Sequence, residues 1–371
     1  MLDSVKRVAL AGFAGVLVLG GLAACGSSDS EAPKITSAQA SDSADPLAPR
    51  PLSQRTTVTM AQVGAIISNL PVYVADAKGE LEKENIELKL ETIGIPDNLL
   101  VVERGDADFT NGTVSAGILN FQASGKNVRL AFPGGTTRPE SKFGLWVSKK
   151  VAGDDGVVQP EELKGLKIYG PSGPNVSLYY YLEPINAKAG DGAKITPQDV
   201  TLETLAAADV ATALTNGSID AGLVLDPFWL TLKENDCCVW VSGKPEYPVS
   251  AYLYGPSLLE KEPQVGLALT RALTRTVRDH LQGDWTKDQE IVKIASKYTG
   301  QPGDTLVKLP SDDYGTGDPA QMAARLDQRY LDGAQSEFAA RKVAGSAMLN
   351  YDKPLEYASV FYDGFLKELA G

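Results

Sequence analysis

Short apolar runs alternate with amphipathic segments along the chain from residue 57 to residue 255. The runs are rich in β-branched residues and are bounded by glycine, proline and other turn residues, which is typical of strands. Several of the segments between them carry apolar residues at helical spacing and begin at residues that favour helix N-termini. This alternation predicts α/β units with parallel strands joined by crossover helices.

The same pattern gives approximate bounds for the elements. Strands are predicted at 57–64, 86–94, 107–112, 127–134, 142–150, 166–170, 198–205, 218–225, 237–243 and 250–255. Helices are predicted at 68–85, 96–105, 113–125, 159–165, 171–190, 206–217 and 226–235. Beyond residue 255 helical spacing dominates, so the pattern predicts two α/β units and a helical tail that packs on one of them.

One strand unit occurs twice. The stretch ERGDADFTNGTVSA, residues 103–116, matches TNGSIDAGLVLDPFW, residues 215–229: each has a glycine, an acid beside alanine, and an apolar run that stops at cap residues. In an open α/β sheet, ligands bind beyond the carboxyl ends of the strands, where helices begin and expose backbone N–H groups. The repeat therefore predicts two lobes whose strand ends face one cleft, which closes on a small polar ligand by a hinge motion.

The N-terminal residues indicate export. Lys6 and Arg7 precede an apolar run at 8–24, which is short for a membrane span and typical of a secretory signal. The sequence Leu-Ala-Ala-Cys that ends at Cys25 resembles the bacterial lipobox. That resemblance implies cleavage before Cys25 and a diacylglycerol anchor on its sulfur. An ordinary signal peptide with an incidental cysteine is the alternative.

Composition narrows the classes of partner and chemistry. The chain has 371 residues, of which 43% are hydrophobic, and a net charge of −12, which suits two soluble domains and argues against nucleic acid as partner. His280 is the only histidine, so neither a metal centre nor a cofactor is expected. The sequence lacks the Gly-x-Ser-x-Gly motif of a nucleophile elbow, so it gives no indication of an enzyme of that kind. Cys237 and Cys238 are expected to be thiols on a strand; a vicinal disulfide is the alternative that export permits.

Four ordered segments carry a family resemblance. They resemble the solute-binding proteins for nitrate, sulfonate, taurine and thiamine-pyrimidine precursors, and the likeness extends in order from about residue 57 to 279. The resemblance implies an α/β, two-lobed type II periplasmic-binding-protein fold and a role as the capture subunit of an ABC importer. The partners it implies are a small-molecule ligand, a membrane permease and its ATPase. The segments are VYVADAKGELEKENIELKLETIG, VERGDADFTNGTVSAGILNFQASGKNVRLAF, EELKGLKIYGPSG and ALTNGSIDAGLVLDPF.

Pattern and resemblance together give expected domain boundaries. The chain is expected to act as an extracytoplasmic monomer that its lipid anchor holds at the cell membrane. Residues 25–54, rich in Ser, Asp, Ala and Pro, are expected to form a flexible tether after the lipidated cysteine. The expected parts are a signal peptide at 1–24, the tether at 25–54, lobe one at 55–141, lobe two at 142–249, and a return to lobe one with its helical tail at 250–371.

The loops after the predicted strands supply the candidate ligand-binding residues, and the family's ligand loops support the same set. Polar side chains there can donate hydrogen bonds to an anion or heteroatom, although helix capping is the alternative for each. Asp226 either caps its own helix or points into the cleft, where it favours an amine or amidine. Phe228 and Trp229 can stack on a flat ligand. The candidates are Ser68, Asn69, Asn98, Asn111, Thr113, Thr136, Ser172, Asn175, Tyr179, Asp226, Phe228 and Trp229.

The aromatic residues make an organic ligand a better expectation than nitrate, with a sulfonate and an aromatic or heterocyclic compound both open. Two rival functions also remain open at this point. One is a lipoprotein sensor that binds a ligand and signals to a membrane partner. The other is an enzyme like the pyrimidine-precursor synthase, which resembles these binding proteins; here its cysteine-rich cluster is reduced to Cys237 and Cys238, and its iron-binding histidines are missing.

Overall fold

A computed structural model describes residues 45–371, apart from gaps at 63, 95–96, 137, 139, 154–155, 172, 190–193, 227, 244–249 and 344–345. The expected signal segment, Cys25 and most of the expected tether lie outside the described residues. Within the described ranges, no helix combines the length and the apolar character that crossing a bilayer requires.

Strands and helices alternate up to residue 254, and helices dominate after it. The strands are β1 Thr56–Gln62, β2 Ile86–Thr92, β3 Phe109–Gly112, β4 Arg129–Pro133, β5 Gly144–Ser148, β6 Lys167–Gly170, β7 Thr201–Thr204, β8 Ala221–Val224, β9 Cys238–Ser242, β10 Ala251–Tyr254, β11 Lys342–Val343 and β12 Ser346–Ala347.

The helices of the two α/β units are short, and the longest helices belong to the C-terminal part. The helices are α1 Leu70–Ala77, α2 Asp97–Arg104, α3 Ala116–Ala123, α4 Lys149–Ala152, α5 Pro160–Leu163, α6 Tyr179–Lys188, α7 Ala207–Thr215, α8 Trp229–Asn235, α9 Pro263–His280, α10 Gln289–Thr299, α11 Gly303–Leu306, α12 Pro319–Ala324, α13 Gln328–Ala340, α14 Tyr357–Val360 and α15 Gly364–Ala370. Single helical turns lie at Ile67–Asn69, Glu82–Glu84, Gly173–Asn175, Pro197–Asp199, Ser257–Lys261 and Trp285–Lys287.

Two five-stranded sheets define two lobes. The sheet of lobe one has the order β2-β1-β3-β10-β4, and that of lobe two has the order β7-β6-β8-β5-β9. The two sheets have the same plan, because a strand that arrives from the other lobe is inserted beside the third strand of each. The expectation of purely parallel sheets is wrong for β5 and β10, which are antiparallel to both neighbours. Each of these strands enters its lobe from the other lobe, so it runs away from the edge at which the parallel strands end.

The repeated sequence unit occupies equivalent places in the two sheets. Gly105 and Gly217 both adopt positive φ, 83° and 74°, just after α2 and α7. Such left-handed backbone is open to glycine at little cost and ends each helix before the strand. Asp108 then accepts a hydrogen bond from a backbone N–H of β1, and Asp220 accepts one from a serine hydroxyl of β5. In both lobes the acid therefore ties the strand unit to a neighbouring strand.

Alternate residues of each strand fill two layers of core. In β10, Tyr252 and Tyr254 pack in one cluster of lobe one while Leu253 packs in the cluster on the opposite face. In β5, Leu145 and Trp146 separate in the same way between the two clusters of lobe two. This period of two follows from the strand geometry, and it leaves both faces of both sheets covered by helices.

The helical tail packs mainly on lobe one, as expected. Helix α15 contacts α9 and α12, and α14 contacts α3 and β4. Helix α13 also contacts lobe two, where the rings of Tyr330 in α13 and Tyr180 in α6 stack with their centroids 4.1 Å apart. The tail therefore covers lobe one and also connects it to lobe two.

A buried ion-pair network fixes α9 to the start of lobe one. Glu84 is fully buried and accepts hydrogen bonds from Arg271 and Arg275, each at 2.8 Å. Arg275 also binds Glu80 at 2.6 Å. Burial raises the pKa of Glu80, but hydrogen bonds from Arg275, Lys83 and His280 outweigh it and lower the pKa to about 2. These charged groups are desolvated, so the folded state is stable only if each of them keeps its partner of opposite charge.

Residues 45–54, which were expected to belong to the flexible tether, are packed against this network. The Leu47 side chain is 2% exposed in the core of lobe one, and its carbonyl accepts a hydrogen bond from Arg275 at 2.8 Å. Asp45 pairs with Arg278 at 2.9 Å. One leucine and two well-placed polar contacts are enough to order a segment whose composition alone predicts a linker. His280, expected to be an isolated surface residue, lies 3.0 Å from Glu80 in the same network.

Replacing Glu84 by glutamine (Glu84→Gln) is expected to cost about 3–5 kcal/mol of unfolding free energy, because it leaves two buried guanidinium groups without their shared anion. Urea unfolding measures this cost. The matched control is Glu87→Gln, which breaks the exposed pair with Arg55 and is expected to cost less than about 1 kcal/mol. Equal effects of the two substitutions would contradict the assigned role of the network.

Candidate functional site

The lobes are joined by two connections, the first crossing between β4 and β5 and the second crossing between β9 and β10, and their described ends lie side by side. The Gly134 N–H donates to the carbonyl of Ser250 at 2.8 Å, and a Cβ on Gly134 would stand 2.5 Å from that carbonyl oxygen. At the far end, a Cβ on Gly144 would stand 2.0 Å from the carbonyl oxygen of Ser242. Glycine is therefore required at both ends, because the two backbones touch. A pair of short, adjacent crossings is the geometry of a hinge between lobes.

The tail adds a wall beside the first crossing. Thr136 and Asp313 pair as an antiparallel bridge with two backbone hydrogen bonds of 2.7 Å. Arg325 donates to the Thr136 hydroxyl at 2.6 Å and to the Asp313 carbonyl at 2.7 Å. Residues 311–314, called the wall segment below, are thereby held against the hinge. Thr136, a predicted ligand contact, is 6% exposed and its hydroxyl is used by Arg325.

Helix α8 of lobe two lies opposite the tail next to the wall segment. Leu230 of α8 packs against the core cluster of lobe one as well as that of lobe two. Glu234 of α8 lies 4.0 Å from Lys308 of the tail. Asp226, between the end of β8 and α8, is thereby brought towards the wall segment.

The charge of Asp226 acts on Asp312 at this place, and we call these two residues the carboxylate pair. Asp312 is 8% exposed, and no hydrogen bond from a described residue reaches its carboxylate. Burial and the nearby charge of Asp226 raise the pKa of Asp312 to about 8, although Arg138 opposes the shift. Burial also raises the pKa of Asp226 to about 6, against a lowering by its hydrogen bond from Trp229. Shared desolvation and like charge thus disfavour ionisation of both.

Aromatic rings with polar ends lie beneath the pair. Tyr314 is 1% exposed, its hydroxyl donates to the Ile67 carbonyl at 3.4 Å, and its pKa is raised mainly by burial and then by the charge of Asp312. Tyr252 of β10 donates in the same way to the Ser68 carbonyl at 3.3 Å. A Cβ on Gly135 would stand 2.9 Å from the Tyr314 ring and 3.0 Å from Asp312, so the hinge backbone passes directly over both.

An open groove of about 880 Å³ lies beside the carboxylate pair. Its lining includes Ser311, the residue before Asp312, and Arg138 of the first crossing. Arg138 is partly buried and donates to the Gly283 carbonyl at 3.1 Å, while its Nε has no partner among the described residues. The groove is thus bordered by both charge signs close to Asp312.

Helix α13 binds lobe two at a second place. Glu337 is 6% exposed and accepts hydrogen bonds from the Ser177 hydroxyl at 2.6 Å and the Leu178 N–H at 2.7 Å. Arg341 pairs with Glu337 at 2.6 Å and donates to the Val176 carbonyl at 2.9 Å. The tail therefore holds lobe two both at α8 and at the start of α6.

Three of the predicted residues in lobe one are buried inside it. Asn69 is fully buried and donates to the Gly64 carbonyl and the Tyr73 hydroxyl, each at 3.2 Å. Asn98 is 2% exposed and donates to the Thr110 hydroxyl at 2.9 Å. Asn111, on β3, is 4% exposed. The amide nitrogens of Asn69 and Asn98 donate to groups of the protein itself, while their Oδ1 atoms have no partner among the described residues. A polar residue after a strand is therefore not by itself a sign of ligand contact.

The remaining polar candidates are more accessible. Ser68, in the single turn Ile67–Asn69, and Thr113, directly after β3, are partly buried, and the Thr113 hydroxyl lies 3.4 Å from that of Tyr330. Asn175 is exposed in a single helical turn. Ser172 lies outside the described residues, as does the side chain of Tyr179, whose backbone begins α6.

Asp226 does not cap α8, and Trp229 is not a surface for stacking. The helix starts without a side-chain cap, and the Asp226 carboxylate instead accepts a hydrogen bond from the Trp229 indole N–H. Trp229 is 3% exposed within the core of lobe two, so it positions Asp226 from behind. Phe228, which packs beside it, is partly exposed.

Sequence reasoning missed Asp312 and Tyr314. Their stretch, SDDYGTGD, places three aspartates and a tyrosine between helices of the tail, which was the one available signal. Cys237 and Cys238 are free thiols, with Cys238 buried on β9 and its pKa raised by burial and by Cys237. The described residues contain no group of histidine, cysteine and acidic side chains that could hold a metal ion.

The arrangement is that of the type II periplasmic binding proteins: two α/β lobes, crossing segments between them, and a cleft at the strand ends. The ligand-binding component of an ABC-type import system from Staphylococcus aureus, solved with zinc bound, is 14% identical, covers 85% of this chain and 99% of its own, and has a TM-score of 0.61. The alkanesulfonate-binding protein SsuA from Xanthomonas axonopodis pv. citri, bound to MOPS, is 16% identical over 76% of this chain and 95% of its own, with a TM-score of 0.52.

A third similar structure belongs to an enzyme. A cysteine-to-serine mutant of DszB in complex with biphenyl-2-sulfinic acid is 15% identical, covers 85% of this chain and 99% of its own, and has a TM-score of 0.53. No protein-family model and no curated protein matches the sequence. At these identities the likeness shows the fold, which is the one that the sequence predicts.

Replacing Asp312 by asparagine (Asp312→Asn) is expected to stabilise the ligand-free protein by about 1–3 kcal/mol at pH 8. The folded state holds the Asp312 proton more tightly than the unfolded state, so ionisation removes stability as pH rises from the ordinary value of 3.8 towards about 8. Asparagine cannot ionise, and the gain should shrink at pH 5. Urea unfolding at the two pH values measures it, with Asp304→Asn on the exposed start of α11 as control; a loss of stability in Asp312→Asn would contradict the prediction.

Gly144→Ala is expected to destabilise the protein by at least about 3 kcal/mol, because the new Cβ meets the Ser242 carbonyl in the second crossing. Gly165→Ala is the matched control. Gly165 also has positive φ, 79°, but its Cβ would meet nothing within 4 Å, so a cost of roughly 1–2 kcal/mol is expected. Denaturant midpoints give both values; similar costs would mean that the crossings are not in obligatory contact.

Proposed function

We propose that the chain is the extracytoplasmic solute-binding subunit of an ABC importer. In this role it captures a small organic ligand between its lobes and delivers it to a membrane permease that works with an ATPase. The fold shared with import-system binding components from other organisms supports the proposal. It also fits a monomer, since each chain carries both walls of the cleft.

The observation that carries the proposal is the carboxylate pair beside the hinge, in which Asp312 is buried and Asp226 partly buried. Asp226 comes from the end of β8 in lobe two and Asp312 from the wall segment on lobe one, so a ligand that contacts both would hold the lobes together. Ionisable groups with strongly shifted pKa values gather at functional sites, because such desolvation lowers stability unless it serves binding or catalysis. Ser68, Thr113, Asn175 and Phe228 are accessible enough to add contacts.

The proposed location is the outer face of the cell membrane. The lipobox-like sequence at Cys25 supports a lipid anchor, and cleavage there would leave residues 26–44 as a shorter tether than the sequence suggested. Because 45–54 are packed on lobe one, the folded part begins at Asp45.

A second candidate function is that of a lipoprotein sensor, since capture by hinge closure serves signalling as well as import. An enzyme is a third candidate because DszB has the same fold. Neither candidate has a residue constellation of its own among the described residues. Of the two free thiols, Cys237 precedes β9 and Cys238 begins it, where burial raises the pKa of Cys238 and keeps its thiol protonated.

A thermal-shift and scattering experiment tests the proposed capture. A soluble form that begins before Asp45 is screened with sulfonates, pyrimidines, aromatic acids, polyamines and nitrate. A ligand present at 100 times its dissociation constant should stabilise the protein by about 2.7 kcal/mol and reduce the radius of gyration as the lobes close.

Deletion of the gene separates import from sensing. Loss of uptake of the ligand found in the screen supports an importer, whereas intact uptake with a lost transcriptional or behavioural response supports a sensor. Turnover of the ligand by the purified protein would instead indicate an enzyme.

A further inference from the structure

We infer that the end of helix α13 is a latch that limits how far the ligand-free lobes open, because its Glu337 binds the start of α6 in lobe two. The inference goes beyond the proposed function and does not depend on which ligand the chain captures. It concerns a contact between the lobes that is separate from the two crossings of the hinge. Closure on a ligand lies in the opposite direction from the opening that the latch restricts.

The first observation is a carboxylate of the tail that is bound by lobe two. Glu337 is buried and accepts hydrogen bonds from the Ser177 hydroxyl at 2.6 Å and from the Leu178 N–H at 2.7 Å. Both donors come directly before α6, and the positive end of the helix dipole favours a carboxylate there. The latch thus fills a place that could otherwise attract an anion, and these two donors are not available to a ligand.

Arg341 adds a third bond from the tail to lobe two. It lies one turn after Glu337, pairs with the Glu337 carboxylate at 2.6 Å and donates to the Val176 carbonyl at 2.9 Å. Both charged side chains are buried. Separation of the lobes at this place would break three hydrogen bonds that involve a charged group, and such bonds are stronger than those between neutral groups.

A second observation, independent of these charges, is a side chain of lobe two in the core of lobe one. Leu178 and Leu182 pack in a core cluster of lobe two, whereas Tyr180 between them is buried in a cluster with α3 and α13. The Tyr180 ring stacks on that of Tyr330, and its hydroxyl donates to the Tyr330 carbonyl at 2.5 Å. The start of α6 is therefore shared by both cores, so opening here would also expose an aromatic ring to water.

The latch lies close to candidate ligand residues of both lobes. The Tyr330 hydroxyl lies 3.4 Å from that of Thr113, which follows β3 of lobe one. Asn175 of lobe two is two residues before Ser177, which donates to Glu337. A latch at this place keeps the two sets of residues near each other in the absence of ligand. A smaller part of the ligand's binding free energy is then needed to bring the lobes together.

The experiment compares the ligand-free full chain with Glu337→Gln by small-angle X-ray scattering and by hydrogen exchange of segments 176–182 and 327–338. Glutamine keeps the size of the side chain but removes its charge, so the lobes should separate further and more often. The expected result is a larger radius of gyration and exchange that is about tenfold faster in both segments, which is the effect of weakening hydrogen bonds to a charged group. Exchange in β1, which serves as the reference for global unfolding, should rise less.

Asp332→Asn is the matched control. Asp332 is exposed on the same helix, and its carboxylate accepts a hydrogen bond from Gln328 of that helix at 2.7 Å. The substitution removes the same charge from α13 without altering a bond to lobe two. The radius of gyration and the exchange of both segments should therefore stay as they are in the unchanged chain.

A purely structural role of Glu337 would give a different result. If Glu337→Gln lowers the stability of the whole chain but changes neither the radius of gyration nor the exchange of the two segments relative to β1, the latch is overturned and the proposed function stands. If Glu337→Gln does not fold, Ser177→Ala is measured in its place, because it removes one donor from the side of lobe two. An unchanged radius and unchanged exchange in that folded variant would overturn the inference in the same way.

Discussion

Two acidic side chains that share a poorly hydrated space impose the constraint on which the rest of the site depends. Burial raises the pKa of both Asp226 and Asp312, and the charge of Asp226 raises the pKa of Asp312 further. The fold nevertheless brings them together from different lobes. A neutral residue at either position would remove this electrostatic penalty and stabilise the fold, so two acids are not expected there unless they have a function. In the proposed function, this unfavourable arrangement is offset when a ligand binds.

The backbone contacts at the hinge explain how two lobes can hold such a pair. Glycines at 134 and 144 let the crossing segments touch, and the bridge between Thr136 and Asp313 fixes the wall segment to the first crossing. Helix α13 binds lobe two through Glu337, so the tail is connected to both lobes. If the lobes move about the hinge, the short junctions between the tail helices must bend. The wall segment, which contains Asp312, would then follow the first crossing, to which it is bridged.

Most of the elements were predictable from the sequence, but their directions and contacts were not. Runs of β-branched residues and glycine ends located the strands, and the repeated glycine–acid unit correctly indicated two equivalent lobes. The pattern carries no direction, so it missed that β5 and β10 run opposite to their neighbours. Asp226 was found because it follows a strand. Asp312 was missed because a bridge to Thr136 brings it to the site, and sequence spacing does not encode such tertiary pairing. Asn69 and Asn98 have site-like positions yet bind groups of the protein itself.

The most direct measurement of the central claim is a carbon-13 NMR titration of the aspartate carboxyl groups in the ligand-free full chain, with Asp226→Asn and Asp312→Asn to assign the signals. The account predicts two carboxyl resonances that titrate well above the ordinary range, near pH 6 and pH 8, and a fall in the higher value when Asp226 is neutralised. If both groups titrate near pH 4, each is hydrated on its own, and the two acids do not form a shared site.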